Sequence, residues 1–179
     1  TEGAAGASFA WSPAHSDERQ TGILCHAWIA RIAEDGLDAW SSSRVLSLQG
    51  VLRSQLSQAG VPSGRLDACV QSVSETILAM LNHEKGRWIL RQRDSRREWA
   101  LIDAAGKISV LDMALSQGGE WLVIDFKTGR PDMGENREAF CQRMQMRYQP
   151  QMQRYAQQLH ALDGRPVEAA LYFPRDDIW

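Results

Sequence analysis

The stretch Trp121-Leu-Val-Ile-Asp-Phe-Lys127 constrains the chain most. Trp121–Ile124 form an uninterrupted apolar run, the pattern of a strand covered on both faces. Asp125 and Lys127 stand two positions apart, so on a strand both project from one side. A buried strand that ends in a carboxylate and an ammonium on one face marks either a site or an ion pair, and both readings stand at this point.

Around this strand the chain divides into a helical first half and a mixed second half. From Asp17, Ile23, Leu24, Ala27, Trp28 and Ile32 recur at helical spacing, and Asp35-Gly36 marks the stop. A second helix is expected from about Arg44 to Ala59, broken by Gly60-Val-Pro62. Ser63 is placed to cap a third, whose stripe is Leu66, Val70, Val73, Ile77, Leu78 and Leu81. Strand signals then take over. Trp88–Arg91 reads as the start of a strand, followed by strands at Glu98–Asp103, Lys107–Ser116 and Glu120–Lys127. Asp103–Gly106 and Gln117–Glu120 are the turns. After a polar connection, Pro150 suits the first position of a helix reaching about Leu162, Asp163-Gly164 ends it, and Val167–Phe173 is a last strand. Three helices, three antiparallel strands, a helix and a strand predict an α/β fold on a mixed sheet.

Gly118-Gly119 is a good two-residue hairpin turn. Pairing Gln117 with Glu120 sets Ser116 against Trp121, Leu115 against Leu122, and Asp112 against Asp125. Opposed side chains stand roughly 5 Å apart, where two carboxylates repel by about 3 kcal/mol at an effective dielectric near 20. Asp112 also shares its strand face with Ile108, Val110 and Ala114, an unfavourable setting for an unpaired charge. A protonated carboxyl or a bound cation relieves both problems. Two carboxylates with open positions suit a hard ion, Mg²⁺ or Mn²⁺. The plainer alternative is an Asp125–Lys127 ion pair with Asp112 solvated at the sheet rim.

Bulk properties narrow the function classes. A length of 179 residues fits one domain, and a net charge of −2 gives no basic footprint of an autonomous nucleic-acid binder. Three widely spaced cysteines suit a reduced, cytoplasmic protein. No run has the length of a membrane helix, and no membrane partner is expected. There is no G-x-x-x-x-G-K-[ST] loop, so no nucleotide site is expected in this stretch. The Gly-, Ala- and Ser-rich opening reads as a linker or mobile arm over 1–15, leaving a single domain over 16–179. The start at Thr1 suggests an excised piece of something larger.

Ser109-Val-Leu-Asp112 followed by Ile124-Asp-Phe-Lys-Thr-Gly129 resembles the core of PD-(D/E)xK nucleases. More narrowly it is similar to the RecB-like nuclease domain of bacterial helicase–nucleases of the exonuclease V beta-subunit type. Gln151-Met-Gln-Arg-Tyr155 matches that family's Q-x-x-x-Y motif. Gly22–His26 looks like its first-helix histidine segment, and Leu171-Tyr-Phe173 like its closing strand. The resemblance implies a restriction-endonuclease-like αβββαβ core with a mixed central sheet flanked by helices, plus extra N-terminal helices. It implies an Mg²⁺- or Mn²⁺-dependent exodeoxyribonuclease, with DNA, in single-stranded form, as substrate and a helicase domain in the same or an associated chain as partner, serving recombination and repair.

Carried over by residue, Asp112, Asp125, His26 and the Phe126 carbonyl hold the metal. Asp112, Asp125 and Lys127 are catalytic, and Gln151 and Tyr155 support the site or contact DNA. Glu98 resembles an acidic residue of the preceding strand. Ser109 and Met113 depart from the family's usual Gly and Arg. The cysteines are unsuitably placed for the iron–sulfur cluster of one branch, so none is expected.

Plain readings stand beside these. His26 could be packed on its helix, and Tyr155 could be core with Met152 and Leu159. The run Arg91, Arg93, Arg96 and Arg97 is a solvated face or, at Arg96 and Arg97, a DNA contact. His15, His83 and His160 match nothing. A non-catalytic nuclease-like clamp contacting DNA or a partner subunit is the rival function.

Overall fold

Helix α4 (Ser63–Asn82) is the centre of the N-terminal half, because its stripe Leu66, Cys69, Val70, Val73, Ile77 and Met80 is buried at three- and four-residue steps. The computed structural model describes residues 13–179. Around α4 lie α1 (Pro13–Asp35), α2 (Ser42–Ser47), α3 (Gln49–Gln58) and α5 (Glu84–Arg91). The expected arm at 1–15 lies mostly outside the described residues, and α1 already begins at Pro13.

Three expectations for the N-terminal half need correction. The segment Arg44–Ala59 forms two helices, because the Leu48 amide bonds three residues back to Val45 and the four-residue ladder lapses there. Trp88–Arg91 is the end of α5, where Ile89 and Leu90 are buried in the helical core. Trp88 and Ile89 are strand-prone, a four-residue run carries no usable periodicity, and tertiary packing decided its state. Gly86 makes that packing possible: a Cβ on it would stand 2.5 Å from the Met80 carbonyl oxygen. Ser63 begins α4 without capping it; Pro62 holds the cap position.

The sheet has four strands in the order β1 (Arg96–Ile102), β2 (Ile108–Gln117), β3 (Glu120–Phe126) and β4 (Val167–Tyr172). The first three form an antiparallel meander, and β4 lies parallel to β3. Gly118 and Gly119 both have positive φ, as the tight β2–β3 turn requires. The crossover is α6 (Arg137–Asp163), which starts far before Pro150 and contains it. Asn136 caps it by accepting from the Ala139 amide, and Gly164 ends it in a left-handed conformation. Pro150 is tolerated because it and Met146, whose carbonyl loses its partner, both lie on the exposed side.

One sheet face packs on the helical layer through Met113, Leu115, Ile124 and Phe126. The other packs on α6 through Leu111, Ala114, Val123, Tyr155 and Leu159. Leu111 and Met113, two apart, therefore belong to opposite layers, so the pleat changes phase at Asp112. Of the expected apolar face around Asp112, only Ala114 is buried, whereas Ile108 and Val110 are exposed. The element order and mixed sheet agree with the expected α/β core carrying additional N-terminal helices.

Candidate active site

The β2–β3 ladder holds the counted register from Gln117↔Glu120 to Met113↔Ile124. At the next step it gives way. The Asp112 carboxylate replaces a backbone acceptor, and its Oδ2 accepts the Phe126 amide at 2.7 Å. Its Oδ1 lies 3.2 Å from His26 Nδ1, while His26 Nε2 lies 3.0 Å from the Phe126 carbonyl oxygen. Both ring nitrogens thus face acceptors, which favours the doubly protonated ring. Burial works against that charge, but the Asp112 carboxylate outweighs it, and the net effect is a raised His26 pKa.

Glu98 completes this corner. Its neighbours Arg97 and Trp99 pair with Met113 and Leu111, which sets Glu98 opposite Asp112. Glu98 has φ 46, a left-handed conformation unusual for a non-glycine residue in a strand. Burial and the Asp112 charge raise its carboxyl pKa, and His26 opposes them. One donor atom each from His26, Glu98 and Asp112 lie within 4.8 Å of one another.

Asp125 is almost wholly buried. Burial, then the Asp112 charge, push its carboxyl up to about 6 against the pull of Lys127 and His26. The Lys127 ammonium contacts Oδ2 as an ion pair. Gln151 ties the remaining groups together. Its Nε2 donates to Asp125 Oδ1 at 3.4 Å and to the Tyr155 hydroxyl, and its Oε1 accepts from Lys127 Nζ at 3.4 Å. Tyr155 is core at its ring and polar at its tip. Its ring packs with Leu159 and Met152 in the α6-side core while its hydroxyl, pushed up to about 12 by burial and then by Asp125, reaches Gln151.

The sequence reading missed Tyr148, whose ring lies 4.5 Å from Lys127 Nζ. Its position three residues before Gln151, on the same helix face, was the available signal. The two arginine candidates separate. Arg96 stacks on Trp99 with its guanidinium 4.5 Å from the ring centre. Arg97 donates to the Ile89 carbonyl at 2.8 Å, and burial lowers its pKa to about 10, so it braces β1 against α5 instead of facing solvent. Ser109 is buried and receives a hydrogen bond from Arg154, and Met113 is core.

The donor set suits a hard divalent cation: two carboxylates and an imidazole converge, and the Phe126 carbonyl adds an oxygen beside the ring. Asp125 is not one of the three converging residues; it is ion-paired with Lys127. A doubly protonated His26 supplies positive charge where such an ion would.

A mixed sheet between helical layers, with a carboxylate–lysine strand end at its centre, defines a nuclease-type, restriction-endonuclease-like fold. A model of the PD-(D/E)XK nuclease superfamily matches residues 4–178. The chain belongs to that superfamily, whose members are generally metal-dependent nucleases. No curated protein matches it significantly. Among the described residues, no helix is long and apolar enough to cross a membrane.

Proposed function

We propose that the chain is the nuclease module of a RecB-like, exonuclease V-type enzyme. On this reading it hydrolyses phosphodiester bonds of single-stranded DNA, in the cytoplasm, during recombination and repair. The observation that carries the proposal is the convergence of His26, Glu98 and Asp112 beside the Asp125–Lys127–Gln151 network. A helicase domain, in the same or an associated chain, would deliver the strand, since this stretch has no phosphate-binding loop of its own.

His26, Asp112, Asp125 and the Phe126 carbonyl are the proposed holders of Mg²⁺ or Mn²⁺, and Glu98 joins them. Such an ion, when bound, supplies Lewis-acid stabilisation of charge developing on the phosphate oxygens. The chain's own residues do the rest. Lys127 has three N–H donors, of which Asp125 and Gln151 engage two. The third can meet a phosphate oxygen and offset its charge in the transition state. Gln151 and the Tyr148 ring both hold the ammonium, so little reorganisation is needed during reaction. Asp112, by holding the Phe126 amide, fixes the strand end from which Asp125 and Lys127 project.

The test is degradation of single-stranded DNA with Mg²⁺ or Mn²⁺ by the unaltered chain and by Asp125→Ala. A loss of at least about a hundredfold is expected, the scale seen when a preorganised charge-stabilising group is removed. Equal rates in the two proteins would sink the assignment.

A further inference from the structure

Strand β4 is an edge of the sheet, because the strand order ends with it. The Pro166 and Tyr172 carbonyls accept from the Trp121 and Lys127 amides, so every second residue from Pro166 turns its backbone groups toward β3. Val167, Ala169, Leu171 and Phe173 therefore turn theirs outward. Phe173 already has a partner: its amide donates to the Ile178 carbonyl at 2.8 Å, and its carbonyl accepts from the Ile178 amide at 3.2 Å. Ile178 is thus the first rung of a fifth, antiparallel strand. The next three rungs are open, since the outward groups of Leu171, Ala169 and Val167 have no backbone partner among the described residues. All three residues are half-buried, so solvent reaches the edge, and none carries a charge. An unblunted edge of this kind is a template for another strand.

Beside the edge, on the α6 side, lies a groove of about 400 Å³. Its walls include Cys141, Met144 and Met152 of α6 and Leu171, Ile178 and Trp179. Gln145, Gln149 and Gln153, all exposed, line it at four-residue steps. That step, about 6 Å along a helix, nearly matches the roughly 6.7 Å between alternate residues of a strand. Glu168 is the groove's one charged residue, and no Lys or Arg lines it. The groove is therefore unsuited to a phosphate chain and suited to a peptide that is neutral or basic. None of the proposed metal or catalytic residues lines it.

We propose that β4 and α6 together hold an extended segment of a partner protein, which continues the Ile178 rung as an antiparallel fifth strand. Backbone bonds to Leu171, Ala169 and Val167 give the affinity, and alternate side chains turned toward α6 give the selectivity. Apolar side chains suit the end near Cys141, Met144 and Ile178, uncharged polar ones suit the glutamines, and Glu168 disfavours acidic residues.

The experiment starts from a random decapeptide library displayed on phage and selected against the immobilised full chain. The most enriched sequence is synthesised, labelled and titrated by fluorescence anisotropy. Its binding should slow hydrogen exchange at the Val167, Ala169 and Leu171 amides, which contact with side chains alone would not do. Ala169→Pro removes one outward donor, leaves the β3 bonds in place, and should weaken binding by at least about tenfold. Gln145→Trp, on the exposed surface of α6, fills the groove and should have a similar effect. Thermal melting checks the fold, and Gln145→Trp decides alone if Ala169→Pro unfolds the chain. The proposal is overturned if no peptide is enriched over an uncoated surface, if either folded variant binds like the unaltered chain, or if the protected amides lie elsewhere. Sedimentation of the chain alone tests the other occupant: a dimer that Ala169→Pro dissociates would assign the edge to a second copy and overturn the partner reading.

Discussion

Stabilisation of the protein by a divalent ion should depend on pH, and the two groups responsible are Asp125 and His26. The Asp125 carboxyl lies at about 6, raised by burial and then by Asp112 from an ordinary 3.8. A raised carboxyl holds its proton more tightly in the folded state. Its contribution therefore favours the fold in acid and is lost as pH rises from about 4 through about 6. His26 is raised above its ordinary 6.5, so its contribution is complete below that value and is lost as pH climbs through the folded-state pKa. On the proposed ligand set, a divalent ion must displace both protons. One pH unit below the Asp125 value, that competition alone weakens apparent affinity by about tenfold, or roughly 1–2 kcal/mol. For a domain of this size the loss corresponds to roughly 3–6 °C of melting temperature. His26 adds to it in the same direction.

The assay is thermal unfolding with Mn²⁺ and with EDTA, at about pH 5 and about pH 7.5. Taking the difference at each pH removes contributions from remote groups such as Glu135 and Asp163, whose carboxyls arginine partners hold at about 2. The metal-induced shift should be larger at the higher pH by at least the stated amount, and Asp112→Asn should abolish it at both. Equal shifts at the two pH values would refute the reasoning, because an ion on Asp125 and His26 cannot ignore their protons.

Tyr155→Phe keeps the buried ring and loses only the bond to Gln151. Stability should change by about 1 kcal/mol or less while turnover falls by about tenfold, whereas Tyr155→Ala should cost about 3–5 kcal/mol in a denaturant titration. Gly86→Ala drives a methyl group into the Met80 backbone and should destabilise by at least about 2 kcal/mol, read as a lower unfolding midpoint. Pro150→Ala restores an amide to the exposed middle of α6 and should raise stability by about 1–3 kcal/mol by the same measurement.

The hairpin was the most legible part of the structure. Two adjacent glycines fix the turn, and side-chain alternation fixes the register through Met113↔Ile124. The count stopped being valid at Asp112, because a side chain took the Phe126 amide and Glu98 turned left-handed opposite it. No residue pattern announces that change of phase. Helix α6 was only half visible: its first turns bury little beyond Phe140 and Met144, and Pro150 imitated a helix start. In the same way α5 resembled a strand, since its apolar residues are few and its geometry depends on contact with α4. Gln151 and Tyr155 were readable as a same-face pair. The meeting of His26 with Phe126 was not readable from spacing, and only the family resemblance pointed to it.

The contact between His26 and Phe126 spans 100 residues, while Asp112 and Phe126 are joined across 14. One half of the centre is thus carried by a local hairpin, and the other arrives only when α1 docks on the sheet. Long-range closure of this kind is slow compared with hairpin formation, so during synthesis or refolding the carboxylate–lysine half precedes the histidine half. A partly folded chain therefore holds an incomplete ligand set, and the proposed centre becomes whole only once α1 has docked on the sheet.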